Sequence, residues 1–382
     1  MAKSIFFTSV LLIGYVYILY PIIIFLLSKL KIKNNYALIP YDHLPDITIV
    51  IPLYNESDLI QAKLNDFHSI NYPQDKIKYI FVSDGSDDTS NKILSEIEAC
   101  DNSISVIYTR ERKGKPNALN LAMKIVSTDI VVFSDIRQSV SKDSIINMIS
   151  ELESNSDIGV VCAELVHVDS NGSTSSNVGA YWKYEKWIRH SESRFNSTIG
   201  TTGALYTLYK RDFIELRIDT ILDDFEIPMN ILRNGKKLKI SDNSFIYDKA
   251  HEDIEHEKIR KIRTLSGNYQ SFLRMKWLFV PIINPVFLQF ISHKFLRLIV
   301  PYLMLLSFVT NLFLVQVSLE YILLFMIQLV FYVIVILAKY ITLFRKNKLS
   351  NFCLVFFELN MSVVYSLYRY LTNRASVTWN KT

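Results

Sequence analysis

Short polar clusters, each set behind a run of β-branched or aromatic residues, carry the groups in this chain that could do chemistry. Behind Ile47 to Pro52 come Leu53-Tyr54-Asn55-Glu56, and behind Tyr79 to Ser83 come Asp84-Gly85-Ser86-Asp87-Asp88. Gly114-Lys115-Pro116-Asn117-Ala118-Leu119-Asn120 opens a helical stretch, and Asp135-Ile136-Arg137-Gln138 closes another apolar run. A carboxylate at a strand end can accept hydrogen bonds from a base or ribose. Lys115, just ahead of a helix N-terminus, can meet a phosphate together with backbone N–H groups. Taken singly, Asp84 and Asp88 also read as turn or N-cap residues. Four such loops in chain order point instead to a shared ligand site. Neither GxGxxG nor GxxxxGK[ST] occurs, so the dinucleotide and P-loop readings have no support.

The elements that must position these groups alternate. Ile47 to Pro52, Tyr79 to Ser83, Ile104 to Tyr108 and Ile130 to Phe133 read as buried strands. Asp58 to Ile70 (Ser57 its N-cap), Asp88 to Ala99 and Pro116 to Val126 have helical spacing. That alternation predicts an α/β domain with a mostly parallel sheet between helices, whose ligands bind beyond the C-terminal strand ends.

Apolar residues make up 50% of the chain and charged ones 21%, which excludes a disordered polypeptide. A net charge of +5 is too small to argue for nucleic acid. The three cysteines lie far apart, so neither a disulfide framework nor a thiolate metal site is expected. Ile5 to Leu27 lacks charge over a length that crosses about 30 Å of hydrocarbon as a helix. Similar runs return at Leu298 to Val317, Tyr321 to Ala338 and Phe352 to about Leu371; the last can cross or lie in the interface. Lys29, Lys31, Lys33, Lys294, Arg297, Lys339, Arg345, Lys346 and Lys348 flank these runs. The positive-inside rule puts them, and the polar domain, on the cytoplasmic face of the inner membrane. The expected division is an anchor at 1–28, a cytoplasmic domain at 45–257, interfacial helices at 258–294, membrane or interfacial helices at 295–371 and a tail at 372–382.

The series IPLYNES, VSDGSDDT, GKPNALN and FSDIRQ resembles the nucleotide-sugar half of family-2 glycosyltransferases of GT-A type. The resemblance continues through Gly200-Thr201-Thr202-Gly203-Ala204, Leu222-Asp223-Asp224-Phe225-Glu226 and Arg260-Lys261-Ile262-Arg263-Thr264. With its trailing apolar helices the chain is similar to membrane-integrated polysaccharide synthases. The resemblance implies that Pro52, Tyr54, Asn55 and Glu56 line the nucleotide pocket. It places Asp84 on the uracil ring, and Lys115 and Asn117 near the nucleotide. Asp135 stands where the first aspartate of the family's DxD motif binds Mg²⁺ or Mn²⁺ on the diphosphate. Arg137 replaces the second aspartate, so it faces the diphosphate itself or pairs with Asp135. Asp224 takes the place of the general base, with Asp223 beside it as partner or as helix N-cap; Gly203 and Ala204 fall on the acceptor side. Arg263 matches the arginine of the QxxRW motif that contacts pyrophosphate, while Arg260 and Thr264 replace its glutamine and tryptophan.

The implied activity is inverting transfer of a hexose-type sugar from a nucleotide donor, UDP the expected nucleotide, to a glycan or lipid-linked acceptor. The partners are then the donor, the acceptor and the bilayer. Two alternatives stand beside it: single transfer onto polyprenyl phosphate, and a non-catalytic membrane subunit that senses nucleotide. His251 and His256 lack HExxH spacing and read as part of a charged turn, with His251 an added metal ligand as the other option. Trp182, Tyr184, Trp187 and Ile188 have the spacing of an amphipathic helix face, for packing or for acceptor stacking.

Overall fold

The computed structural model describes residues 1–31, 36–168, 180–249, 254–372 and 374, with only the backbone course at 180 and 254–257. His251 and Lys33 therefore lie outside the described residues, as does the side chain of His256. The strands are β1 (Ile47–Leu53), β2 (Ile77–Asp84), β3 (Ile104–Thr109), β4 (Ile130–Ser134), β5 (Ser139–Val140), β6 (Ile158–Val168), β7 (Leu205–Tyr209) and β8 (Lys237–Lys249). They form one sheet in the order β3-β2-β1-β4-β7-β6-β8-β5. The first four run parallel, as the alternation predicts. β7 then enters antiparallel to both β4 and β6, which makes the second half of the sheet mixed.

β1 is buried at every position, the pattern of a strand covered on both faces. Successive side chains point to opposite faces. Val50, with Ile80, Val82 and Phe133, belongs to one apolar layer, and Ile49 and Ile51, with Tyr79 and Phe81, to the other. Pro52, which has no N–H to donate, sits past the end of the β1–β4 pairing at Val50–Phe133.

The helices are α1 (Ala2–Lys29), α2 (Ser57–His68), α3 (Ser90–Cys100), α4 (Lys115–Ile125), α5 (Ser144–Glu153), α6 (Ala180–Phe195), α7 (Asp223–Arg233) and α8 (Ile254–Arg274). After them come α9 (Phe287–Leu314), α10 (Leu319–Tyr340) and α11 (Lys348–Leu371). Ser57 is the first residue of α2, and the expected capping position falls to Glu56. Among the described residues, α1, α9, α10 and α11 are long and apolar enough to cross a membrane.

α9 begins at Phe287, so it runs unbroken through the boundary expected at 294/295 and carries His293, Lys294 and Arg297 within it. Hydropathy marked those residues as a boundary because it counts charge and not partners. Here α1 and α6 supply the partners. Tyr15 and Ser292 hydroxyls meet at 2.7 Å, and Tyr20 donates to Glu192 at 2.5 Å. His293 sits between Glu192 (2.8 Å) and Glu185 (3.0 Å), and Arg297 pairs with Glu185. Burying such groups unpaired would cost several kcal/mol each, of the order seen for ions in apolar surroundings. The aromatic face of α6 is spent on packing: Ile188 meets Tyr20 and Ile24, and Trp187 meets Phe25.

Candidate active site

Asp84, at the end of β2, is fully buried, and its two oxygens accept the Lys113 N–H (2.9 Å) and the Gly114 N–H (2.7 Å). A carboxylate sealed beneath its own loop positions that loop, which departs from the expected contact with a uracil ring. Asn55, at a positive φ of 53°, trades hydrogen bonds with Asp87: its Nδ2 donates to Oδ1 at 2.6 Å and its Oδ1 accepts the Asp87 N–H at 2.9 Å. Those bonds staple the loop after β1 to the loop after β2. Glu56 turns back to the Tyr54 N–H at 3.5 Å, and Pro52 is buried beneath them.

The loop that Asp84 holds delivers Lys115 to the centre of the site. Lys115 Nζ lies 2.7 Å from Asp135 Oδ1, 3.3 Å from Asp223 Oδ2 and 3.3 Å from the Gly203 carbonyl. Burial works against this ammonium, and Asp135, Asp223 and Asp224 outweigh it, so its pKa lies above the ordinary lysine value. Asn117 follows in the same first turn of α4. The Asp135 N–H donates to the Ala204 carbonyl at 3.0 Å, which brings the end of β4 against the Gly203-Ala204 turn.

Asp223 and Asp224 open α7, where the first-turn N–H groups favour negative charge. The N-cap is Leu222, so Asp223 is not the capping residue; its side chain points at Lys115. The Asp224 carboxyl is pushed up to about 6, by burial first and then by Asp223, while Lys115, Lys294 and Arg263 pull it down. Arg263, on α8, donates to the Ile221 carbonyl at 3.3 Å and keeps a buried Nε–H without a hydrogen-bond partner.

Arg137 does not take the pairing with Asp135 that was one of its two sequence expectations. It donates to Asp248 Oδ2 on β8 at 3.0 Å, Gln138 joins it at 3.4 Å, and Arg260 lies 3.9 Å from the same oxygen. Asp135 is paired with Lys115 instead. The reason is topological: β6 and β8 lie beyond β7 in the sheet and bring a buried carboxylate, 3% exposed, to the short β5 segment after Arg137. Asp248 sits in no motif, and its role was invisible in sequence. Arg112 was also passed over, although it stands three residues before Lys115; its guanidinium lies 3.8 Å above the Tyr54 ring.

Gly203 has a steric role that spacing alone did not show. A Cβ there would stand 2.9 Å from Asp224 Oδ2 and 3.0 Å from Asp224 Cβ. Gly203→Ala is expected to push the carboxylate aside and cut activity at least tenfold, with a KM for donor within threefold. Steady-state kinetics of the purified variant check this; unchanged kcat would show that the carboxylate's position is immaterial.

A hard divalent ion needs oxygen ligands and often takes only one or two carboxylates, with phosphate and water filling the rest. Asp135 fits that minimal set, with a side chain 36% exposed and hence reachable. Among the described residues no group of three or more acidic, His or Cys side chains forms a closed cage.

Residues 48–217 match the model described as "Glycosyl transferase family 2". Over this segment the chain is similar to glycosyl transferase family 2. The matched segment ends before α7, so Asp223 and Asp224 lie outside it. The chain is also 24% identical over 273 residues to a poly-beta-1,6-N-acetyl-D-glucosamine synthase of Staphylococcus aureus (strain MSSA476). That match covers 69% of this chain and 65% of the staphylococcal protein, less than two thirds of the relative's length. A probable glycosyltransferase of Sulfolobus acidocaldarius is 25% identical over 249 residues, covering 61% of this chain and 52% of that protein. Among solved structures, the mannosyltransferase PcManGT from Pyrobaculum calidifontis, in complex with GDP-Man and Mn²⁺, superposes with a TM-score of 0.71 at 18% identity. It covers 98% of this chain and 100% of that one, so the GT-A type domain and the flanking helices share one fold from end to end.

Proposed function

We propose that the protein is an inverting membrane glycosyltransferase. It moves a hexose-type sugar from a nucleoside diphosphate donor, with UDP the expected nucleotide, to a glycan or lipid-linked acceptor. The product belongs to a cell-envelope or extracellular polysaccharide. One observation carries this reading: Asp135, just past β4, and the Asp223-Asp224 pair of α7 meet around a single lysine whose side chain is 13% exposed. The polymer named for the staphylococcal relatives supports the polysaccharide, and the GDP-Man in the archaeal structure supports a nucleotide-sugar donor. The basic residues flanking the spans support a cytoplasmic catalytic face.

In this mechanism Asp224 accepts the proton of the attacking acceptor hydroxyl, a role suited to a carboxylate raised to about 6. The hydroxyl attacks the anomeric carbon opposite the leaving group in one displacement. Lys115 and Arg263 offer positive charge to the departing diphosphate. Asp135 would hold Mg²⁺ or Mn²⁺, which when bound neutralises charge on the leaving nucleoside diphosphate.

A second reading, single transfer to polyprenyl phosphate, draws on Lys294. This residue of the membrane-length helix α9 is one of the cations that lower the Asp224 pKa, which supports an acceptor side next to that helix. A ladder of long glycans would identify a polymerase, and one lipid-sugar species the single transfer.

The test is nucleoside diphosphate release from UDP- and GDP-sugars by purified protein with a membrane extract as acceptor. Chelation is expected to lower release at least ~100-fold, and Mn²⁺ or Mg²⁺ to restore it. No release from any donor would leave the non-catalytic subunit as the surviving alternative, and full activity in chelator would remove the metal from the scheme.

A further inference from the structure

Helix α6 presents two faces, and only one of them packs on the membrane-length helices. Tyr184 and Ile188 lie against α1, and Glu185 and Glu192 meet Arg297 and His293 of α9. Trp182, Lys186, Arg189 and His190 follow one another at helical spacing on another face. With Glu164 of β6 and with Thr202 they line a cleft of about 250 Å³, continuous with solvent. That is less than the roughly 300–1,000 Å³ of a site for a whole drug-sized ligand, so the cleft suits one small group. The charges in it do not cancel. Glu164 accepts from Lys186 at 2.6 Å and pairs with His190 Nε2 at 2.9 Å, while Asp242 lies 3.5 Å from His190 Nδ1. Burial works against the imidazolium, and Asp242 and Glu164 outweigh it, so His190 is pushed up to about 9 and is charged at neutral pH. Lys186, His190 and Arg189 then face only Glu164 and Asp242, and the charge left over is that of Arg189. Its Nη2 donates to the Gly200 carbonyl at 3.3 Å, and it makes no ion pair among the described residues. The indole N–H of Trp182 is buried without a hydrogen-bond partner. Buried donors left idle are rare because they are costly, and a missing ligand is one reason for them.

We propose that this cleft recognises the carboxylate of an acidic sugar in the acceptor, which makes a glycan containing uronic acid the substrate class. Arg189 supplies the counter-charge and, through its remaining N–H groups, donors in a fixed plane. The Trp182 N–H supplies a further donor, and Leu165, Ile240 and the indole ring give the C–H face of the sugar an apolar wall. This rests on the sugar-transfer reading above and adds the chemistry of the acceptor. The position agrees with it. Thr202, at the cleft, immediately precedes Gly203, whose Cβ position lies against Asp224. Thr201 donates to the Asp224 carbonyl from its N–H at 2.9 Å and from its hydroxyl at 3.0 Å. One turn therefore carries both the cleft and the base, and neighbouring Cα atoms in it are about 3.8 Å apart. A carboxylate bound here belongs to the sugar that bears the attacking hydroxyl or to the one beside it.

The test is ligand-observed NMR binding to the full-length protein in detergent, with methyl glucuronoside, methyl glucoside and acetate as probes. The two glycosides differ only in a carboxylate or a hydroxymethyl group at one carbon. The wild type is expected to bind the glucuronoside about tenfold tighter than the glucoside, the scale of a charge-assisted hydrogen bond, and acetate about tenfold weaker than the glucuronoside. Arg189→Ala should erase the preference by weakening the glucuronoside while the glucoside stays within twofold. Trp182→Phe keeps an aromatic ring and loses the N–H, and should weaken the glucuronoside about threefold. Equal wild-type affinity for the two glycosides, acetate as tight as the glucuronoside (a site for any free anion), or an undiminished preference in either variant would each overturn the proposal, while nucleoside diphosphate release from a sugar donor kept the transfer reading. A wild type that prefers the glucuronoside and releases no nucleoside diphosphate from any donor would overturn that reading and, with it, the acceptor role.

Discussion

Asp224→Asn is expected to lower sugar transfer about 10²–10⁴-fold, the usual contribution of a positioned general base, while leaving donor affinity within twofold. Asparagine keeps the shape of the side chain and cannot take a proton. In the wild type, activity should rise through about pH 6, because the base must be ionised and its carboxyl is raised to that value by burial and by Asp223. The acid limb should vanish from the residual activity of the variant. Stability moves the other way. A folded-state pKa above the unfolded one means that the fold pays to hold the ionised form. That penalty is absent below about pH 4 and complete above about pH 6. The variant escapes it, so at pH 7–8 it should melt higher than wild type, by a margin on the order of 2 kcal/mol, and the gap should close towards pH 4. Wild-type transfer rates in Asp224→Asn would take the base role away, and a lower melting point at pH 8 would refute the electrostatic account.

Lys115→Met should show the second large effect, on folding and chemistry together. The ammonium is the shared partner of Asp135 and of Asp223, whose side chain is only 8% exposed. Removing one member of a buried pair strands the other charge, which typically costs about 3–5 kcal/mol. The folded-state pKa of Lys115 is raised, so its contribution is fully present at neutral pH and fades only as pH rises past the lysine range. A Lys–Met stability difference that disappeared by pH 8 would contradict this. Because Lys115 also holds the Asp224 pKa down, the acid limb of any remaining activity should move to higher pH. An unmoved limb would show that the two groups are not coupled. Lys115→Arg is not expected to rescue, since a planar fork cannot direct hydrogen bonds to Asp135, Asp223 and the Gly203 carbonyl as a compact ammonium does.

Much of this arrangement is legible along the chain. Strands β1 to β4 and the helices between them follow from apolar runs and helical spacing, because those signals are local and each element must bury its own face. The four membrane-length helices are equally local, since a span is a count of uncharged residues. The motif loops fall at strand ends as expected, and Lys115 and Asp135 belong to those loops. Spacing was less informative for Asp84, which reads as a ligand contact and turns out to fasten the backbone at 113–114. It also gave Lys294 a boundary role, whereas α9 carries that residue inward to within electrostatic reach of Asp224.

The order of the elements, the membrane attachment and the set of chemically able residues were therefore written in the one-dimensional pattern. Only the tertiary structure decided which charges meet. Lys115 reaches Asp135 across 20 residues and Asp223 from another element, while Arg137 turns to Asp248, 111 residues away. Ion pairing depends on distances of a few ångströms between side chains brought together by strand order, and strand order in a mixed sheet is a global property. No local count of residues contains it.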